Sequence, residues 1–575
     1  MTPDALAAAL ADARAWLAQD PDPDTRTELE ALIASAAGDV AAGRDLVERF
    51  TGALEFGTAG LRGLLGAGPQ RMNRVVVQRV TAGLADYLLA TLPGAAARGV
   101  VIAYDGRRNS RRFADDAAAV LAGKGIRVHL ATAPWPTPLA AWAVTAHQAA
   151  AGIMVTASHN PPEYNGYKVY WENGAQIVPP HDAGIAAAIA RVGAIDGLPR
   201  VELADARGRG LVRDLGDDVR DAYLAAAARL SVTPDVARKG LVIAYTPLHG
   251  VGADCVERLL AARGFDAVHT EPSQREPDAA FPTVVFPNPE EKGAIDRVVA
   301  MAAGLGADLV LANDPDADRL AVAVPDRAGG YRMLTGDQLG AILADYLLTH
   351  TSGRRMFATT VVSSQLLGFL AAAAGVDYRE TLTGFKWIAN AAIDYRAETG
   401  GAFVMGYEEA LGYCVGELVR DKDGVSSALI VAELAAWNRA RGKTLLDHLD
   451  EVYRRIGLFL TEQVSLTRPG ADGLASIRAA MARFRASPPQ AIGGHPVIEI
   501  VDLDAGGGGL PRSDVLIFRL AGGRRVIMRP SGTEPKLKSY YEVRIEVGAD
   551  EVMTSAQARG RAELSALRDA HQAMI

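Results

Sequence analysis

The segment Ala151-Gly152-Ile153-Met154-Val155-Thr156-Ala157-Ser158-His159-Asn160-Pro161-Pro162 decides how the rest of the chain is read. Its first five residues form an apolar, strand-like run. The double proline at its end can neither continue a strand nor sit deep in a helix. A serine is thereby set on a rigid strand-to-loop corner with His159 beside it, and Lys168 follows in Asn165-Gly166-Tyr167-Lys168. A strand that ends in a fixed turn is where α/β proteins expose reactive groups. Taken alone, the segment also fits an ordinary Ser/Asn/Pro turn.

A second segment favours the chemical reading. Asn313-Asp314-Pro315-Asp316-Ala317-Asp318-Arg319 lies between two apolar runs, Leu309-Val310-Leu311-Ala312 and Leu320-Ala321-Val322-Ala323-Val324. Three carboxylates at alternate positions repel one another, and a divalent cation removes the cost of keeping them ionised. All-oxygen ligation suits Mg²⁺ better than a soft metal. An EF-hand is excluded, because the glycine at the sixth position and the closing Glu are missing. A solvated acidic turn is the plainer alternative, but it leaves the crowding of three Asp between buried strands without a purpose.

A third segment, Arg529-Pro530-Ser531-Gly532-Thr533-Glu534-Pro535-Lys536-Leu537-Lys538, has the makings of a phosphate site. It offers a guanidinium for bidentate contact, two hydroxyls, a glycine that lets backbone N–H groups approach an anion, and two lysines. Ser-Gly-Thr is also frequent in plain turns.

Working outward, strand-like and helix-like segments alternate, which is the pattern of an α/β chain. Gly99-Val100-Val101-Ile102-Ala103-Tyr104 opens onto Asp105-Gly106-Arg107-Arg108. Gly240-Leu241-Val242-Ile243-Ala244-Tyr245 opens onto Thr246-Pro247-Leu248-His249-Gly250. Arg355-Met356-Phe357-Ala358-Thr359-Thr360-Val361-Val362 leads to Ser363-Ser364. These read as the first strands of three related α/β units. The C-terminal part differs: Val497 to Val501 and Val515 to Leu520 flank the glycine-rich loop Asp504 to Gly509, which suggests a hairpin with a mobile tip. From Asp550 onward the pattern is helical.

Composition bounds the function. At 575 residues the chain holds about three to five domains of ~100–200 residues. Its 49% apolar content is ample for several cores. A net charge of −8 argues against nucleic-acid binding, which needs a basic face. Cys255 and Cys414 are the only cysteines, too few for a disulfide framework and suited to a reducing compartment. The start of the chain lacks the basic region of a signal peptide, and no run reaches the ~18 apolar residues of a membrane span. A soluble, cytoplasmic protein with no membrane partner is expected.

The three segments, with Gly406-Tyr407-Glu408-Glu409-Ala410, make the chain resemble the α-D-phosphohexomutase family. All four occur in the family's order and span nearly the whole chain. The likeness is to the long phosphoglucomutase/phosphopentomutase branch, as seen in Glu55-Phe56-Gly57-Thr58-Ala59-Gly60-Leu61-Arg62-Gly63 and in a helical leader ending Trp16-Leu17-Ala18-Gln19-Asp20-Pro21. The resemblance implies three related α/β domains with mixed sheets plus a smaller C-terminal α+β domain, around a central cleft. The expected division is 1–208 with the serine loop, 209–328 with the metal loop, 329–457 with the sugar loop, and 458–575 with the phosphate loop.

It also implies the chemistry. Ser158 would be carried as a phosphoserine, its phosphate against Mg²⁺ bound by Asp314, Asp316 and Asp318. It would pass the phosphoryl group to a sugar monophosphate and take the other phosphate back from the bisphosphate. Each half-reaction needs an acid and a base. Lys168 fits that role, its pKa expected to fall beside other cations and metal, although a solvated lysine on a strand is the plainer reading. Arg62 matches an early active-site arginine, or makes a loop salt bridge; Gly60 before it suits backbone approach to an anion. His159 contacts the phosphoserine or orients its loop. Lys386 faces the sugar or its phosphate, Glu408 binds sugar hydroxyls, and Arg319 bridges to the sugar or neutralises the Asp cluster. Trp387 reads as core. Arg529, Ser531, Gly532, Thr533 and Lys538 would hold the substrate phosphate. Glucose 1,6-bisphosphate is the expected activator, small sugar phosphates the partners, and a monomer or homodimer the assembly.

The sugar loop departs from the family pattern. Many glucose-type members read Gly-Glu-Glu-Ser, whereas Ala410 here removes the hydroxyl and weakens discrimination between sugars. Glucose, ribose and deoxyribose phosphates all stay open. The Ser-Gly-His ending of glucosamine- and mannose-type members is missing, since Leu411-Gly412-Tyr413 follows, so those sugars are disfavoured. Asp421-Lys422-Asp423-Gly424 either helps close the cleft or is a plain charged turn. Three other functions compete: a sugar bisphosphate synthase on the same scaffold, an aspartate-nucleophile phosphatase using Asp314 and Asp316, and a non-catalytic sugar-phosphate sensor. The phosphatase predicts that Ser158 is dispensable. The sensor leaves the cost of the Asp cluster unexplained.

Overall fold

The computed structural model describes residues 2–57, 60–468, 471–531 and 536–575. It contains two compact bodies. One is built from the chain up to Met333 together with Leu411–Ala436, the other from Leu334–Ala410 with Trp437–Ile575. Three α/β domains with mixed sheets and a C-terminal antiparallel domain make up the chain.

In the first body, the apolar runs become fully buried strands. Val100–Tyr104 is buried at every position and pairs in parallel with Ala151–Val155 and Val128–Ala131. Tyr164–Trp171 then runs antiparallel to Ala151–Val155, with Leu61–Leu64 antiparallel on its far side. Val212–Leu215 completes this sheet beside Val128–Ala131. Continuous apolar strands are what a sheet covered by helices on both faces requires. The leader helix Pro3–Gln19 buries Trp16, edge-on to Phe50.

The second sheet of this body centres on Leu309–Asn313, again buried throughout. It lies parallel to Ile243–Thr246 and antiparallel to Leu320–Pro325, so the three aspartates occupy the turn of a tight strand pair. Residues 411–436 return to brace that turn. Leu320 N donates to Leu411 O, Arg319 forms a bridge with Gly412, and Tyr223 OH donates to Asp423. A β-carbon on Gly424 would stand 2.4 Å from Arg319 O and 2.8 Å from Ala317 O, so only glycine fits beneath the loop. Glu433 is fully buried and accepts from Arg238 at 2.6 Å and from the Val232 and Thr233 amides.

In the second body, Arg355–Thr360 runs parallel to both Asp377–Thr381 and Ala402–Glu408. The C-terminal sheet is antiparallel: Leu458–Thr467, Lys536–Ile545, Arg524–Pro530, Leu516–Leu520 and His495–Asp502 lie in that spatial order, each pairing with the next. The glycine-rich loop after Asp502 contains a short helical turn at Gly507–Gly509, and Leu503 and Leu510 beside it pack into a core with Val361, Val362 and Ile517. Trp387, partly buried, packs against the same cluster. Arg525, 2% exposed, is held by Glu542 at 3.0 Å and by the carbonyl of Val361 at 2.9 Å. The chain closes on the helix Met553–Gln572.

Candidate active site

The first body gathers a serine, an acid trio and two lysines. Ser158 lies just past the end of Ala151–Val155, as the apolar run and double proline predict. Its backbone is left-handed, with φ of 53°. For a residue other than glycine this costs of order 1–3 kcal/mol and persists only where neighbours enforce it. The Ser158 amide donates to Thr156 Oγ1 at 2.8 Å. Its hydroxyl donates to Asp314 Oδ2 at 3.0 Å and lies 3.2 Å from His159 Nδ1. A second left-handed residue, Ala317 with φ of 55°, sits inside the Asp loop. That turn lets Asp314, Asp316 and Asp318 converge, each offering an oxygen within 4.8 Å of the others, all three buried.

The oxygens divide into two sets. Lys168 Nζ donates to the Oδ2 atoms of Asp316 at 2.8 Å and Asp318 at 3.0 Å. Thr137 Oγ1 also donates to Asp316 Oδ2, at 2.7 Å, and Lys422 Nζ lies 3.3 Å from Asp318 Oδ2. The Oδ1 atoms of Asp316 and Asp318 accept no hydrogen bond from the described residues. Buried acceptors without donors are costly, and a hard divalent cation is what a trio of convergent carboxylate oxygens satisfies. The residues present therefore fit Mg²⁺.

Charge perturbations follow from burial. Burial, reinforced by Asp316 and Asp318, pushes the Asp314 carboxyl well above the usual carboxylate range. Burial alone would raise Asp316 too, but the Lys168 ammonium outweighs it and holds the group low. In return, Asp316 and Asp318 overcome the burial of Lys168 and hold its ammonium above the ordinary lysine value. Among the protein's own groups, two carboxylates at contact distance thus outweigh the Lys422 ammonium; the lowering expected of Lys168 includes the charge of a bound cation, which is a separate contribution. Lys168 is not a solvated surface lysine: it is 5% exposed. Burial and the guanidinium groups of Arg319 and Arg62 keep His159 well below its usual range, so it is neutral at pH 7.

Arg62 is exposed and donates to Asn160 Oδ1 at 2.9 Å, so it meets the serine loop directly. Gly60 has a structural reason for being glycine: a β-carbon there would lie 1.9 Å from Tyr167 O. Arg319 stands 4.0 Å from both Asp314 and Asp318, and its amide donates to Asp314 Oδ1 at 3.0 Å.

The second body gathers the sugar-loop and phosphate-loop residues. Glu408 Oε1 accepts from the Gly384 amide at 2.7 Å, tying it to the turn before Lys386 at the start of the helix Phe385–Thr399. Glu409 Oε2 accepts from Ser363 Oγ at 3.1 Å. Burial, then the neighbouring Glu408 and Asp337, push Glu409 up to about 7. Burial and the Glu409 carboxylate likewise push the Tyr540 hydroxyl up to about 12, opposed by a hydrogen bond with Arg529. Arg529 and Lys538 face each other across paired strands, and the Ser531 amide donates to Lys536 O at 2.8 Å. Gly532 and Thr533 lie outside the described residues.

Sequence reasoning missed Thr137 altogether and left Lys422 as half of an even choice. Lys422 points inward to Asp318, while Asp421 accepts from Tyr170 OH and Gln176 Nε2, each at 2.7 Å. The run Asp421-Lys422-Asp423-Gly424 carried the available signal, since alternating charges ending in glycine suit a packed turn as well as a solvated one.

Sequence models of four consecutive domains match this chain in order. They are phosphoglucomutase/phosphomannomutase alpha/beta/alpha domain I over residues 53–195, domain II over 221–329, domain III over 335–456, and the C-terminal domain over 469–555. The chain is 41% identical over 483 residues to a probable phosphomannomutase of Haemophilus influenzae, covering 82% of this chain and 93% of that protein. It is 36% identical over 563 residues to the phosphopentomutase of Mus musculus, covering 92% and 89%. Among solved structures, the open form of pp63/parafusin from Paramecium, a phosphoglucomutase, superposes with a TM-score of 0.68 at 18% identity, over 90% of this chain and 96% of that one. At that identity the likeness concerns the fold.

Proposed function

The chain belongs to the phosphoglucomutase/phosphomannomutase (α-D-phosphohexomutase) family and is a phosphosugar mutase, and on that premise we propose how its residues divide the work. Ser158 carries the phosphoryl group. The observation that supports this most directly is its hydroxyl, held in a left-handed turn 3.0 Å from Asp314 in the buried acid trio. Asp314, Asp316 and Asp318 would hold Mg²⁺, with the phosphoserine oxygen as a further ligand from Ser158. The ion would offset negative charge on the transferring group.

In the forward half-reaction, the bond between the Ser158 oxygen and phosphorus breaks and a sugar hydroxyl oxygen bonds to phosphorus. The hydroxyl proton goes to a base, and the Ser158 oxygen regains one from an acid. Lys168, kept as an ammonium by Asp316 and Asp318, is in the form that gives a proton. It acts as base in the reverse half-reaction after giving that proton up. His159, neutral and 3.2 Å from the serine oxygen, orients it. Arg62 and Arg319 bind phosphoryl oxygens. Glu408 and Lys386 bind the sugar, while Arg529, Ser531, Gly532, Thr533 and Lys538 hold the phosphate that is not in transfer.

The substrates are a sugar 1-phosphate and either glucose 6-phosphate or a pentose 5-phosphate, with glucose 1,6-bisphosphate as activator. Support for the pentose comes from Ala410, which removes a hydroxyl from the acidic loop, and from the extent of the match to the mouse phosphopentomutase. The test is peptide-mapped phosphorylation after incubation with glucose 1,6-bisphosphate and Mg²⁺, for wild type and Ser158→Ala. Label on Ser158, missing from the variant, is the expected result. Its discharge by ribose 5-phosphate, glucose 6-phosphate and mannose 6-phosphate, compared in turn, ranks the sugars. Activity that survives in Ser158→Ala would sink the reading.

A further inference from the structure

The loop from Ser158 to Tyr164 poses a hydrogen-bonding problem. Pro161 and Pro162 have no N–H, and pairing with the neighbouring strand starts at Glu163 and Tyr164, yet the carbonyls of the stretch lie close to the protein interior. One side chain answers for most of them. Arg107 Nη2 donates to Ser158 O at 2.7 Å and Asn160 O at 2.5 Å, and Nη1 donates to Pro161 O at 2.9 Å and Tyr164 O at 3.3 Å. The guanidinium is buried, lies 4.9 Å above the ring of Phe281, and has Asp105 3.3 Å from its Nε. Asp105 is itself fixed, accepting from the Arg107 amide at 3.0 Å and from Ser110 Oγ at 2.6 Å.

We propose that Arg107 is the positioning residue that holds Ser158 in its reactive conformation. The inference rests on the reading of Ser158 as the phosphoryl carrier. By gripping the carbonyl of Ser158 and those that follow, a planar fork imposes the left-handed turn and so aims the serine oxygen at Asp314. A lysine could keep the charge but not the fork, because an ammonium is a single point that cannot reach four carbonyls in fixed directions. Arg107 touches neither sugar nor phosphate in this role, so the defect belongs in turnover rather than in substrate binding.

The experiment compares Arg107→Lys, Arg107→Ala and Phe281→Leu with wild type, under glucose 1,6-bisphosphate and Mg²⁺. A misplacement of about 1 Å costs on the order of a hundredfold in rate. Arg107→Lys is expected to load and discharge Ser158 about a hundredfold more slowly, with KM for the sugar phosphate within about twofold of wild type. Low concentrations of guanidinium should restore part of the rate to Arg107→Ala, which loss of global structure would not permit. Phe281→Leu, which removes only the ring beneath the fork, should show the same kcat-only signature in milder form, and it keeps the test open should the Arg107 variants fail to fold. Loading of Arg107→Lys at the wild-type rate, or a loss confined to KM, would overturn the proposal. Failure of wild-type Ser158 to accept label is a separate result, and it would overturn the carrier reading on which the proposal rests.

Discussion

Replacing Lys168 by Met removes one positive charge from a site that holds three carboxylates, and the structure sets the size of the effect. The ammonium makes two charge-assisted bonds, at 2.8 and 3.0 Å, to acids that are fully buried. Each such bond contributes about 1.5–3 kcal/mol net. Breaking a buried pair from one side costs about 3–5 kcal/mol, because the partner charge is stranded. Met keeps most of the length and supplies no charge. In EDTA, the urea transition of the first body should therefore lose about 3–5 kcal/mol relative to wild type. Mg²⁺ should narrow that gap. If wild type is stabilised by about 2.7 kcal/mol at a hundred times its Kd, a variant that binds tenfold tighter gains about 4.1 kcal/mol at the same concentration. With Mg²⁺ present, activity should fall sharply, since the proposed proton carrier is gone. Lys168→Met unfolding like wild type in EDTA would refute a stabilising role for the ammonium. Equal stabilisation of the two proteins by Mg²⁺ would refute it as well, because the cation would then not be answering the same charges.

Other outcomes follow from the same structure. Glu409 is raised from 4.5 to about 7, so the stability it contributes is complete below pH 4.5 and is lost as pH rises through about 7. Glu409→Gln should remove the part of that slope above pH 6, leaving the shallower fall from Asp337, which is raised to about 6; chemical denaturation across that range reads both. Gly424→Ala places a β-carbon 2.4 Å from Arg319 O. It should cost about 1–3 kcal/mol in the first body and slow the labelling of Ser158, with unfolding curves and peptide mapping as the checks. Glu542→Gln leaves the buried Arg525 with Glu380, 3.5 Å away, as its remaining carboxylate, and should destabilise the second body by about 1.5–3 kcal/mol, measured by denaturant titration.

The sequence made some of this legible and hid the rest for identifiable reasons. Ser158 could be placed because two prolines after an apolar run leave the chain few options. The acid trio could be placed because a spacing of two between buried strands is expensive without a cation. Arg107 was visible only as the end of a strand-to-turn segment, and nothing local shows that its guanidinium reaches carbonyls more than fifty residues ahead. Thr137 contacts Asp316 across 179 residues, a separation no periodicity reveals. The balance of charges on Lys168 could not be ranked from the sequence, because it depends on which neighbours are in contact. Val212–Leu215 is a similar case: four residues carry too little pattern to mark a strand, yet they add an edge to the first sheet.

The discontinuity of the first body bears on how the protein is made. The loop holding Asp314, Asp316 and Asp318 leaves the ribosome roughly a hundred residues before Gly424, which at ~5–20 residues per second is a wait of about 5–20 s. Until residues 411–436 emerge, Arg319 lacks its bridge to Gly412, Tyr223 and Tyr170 lack their carboxylate acceptors, and Arg238 lacks Glu433. The nascent chain must carry an acid cluster with no floor while it synthesises most of another domain. Early folding of the first body is thus coupled to completion of a segment encoded far downstream, and a chain terminated before Leu411 would contain Ser158 and every aspartate of the trio without the segment that braces their loop.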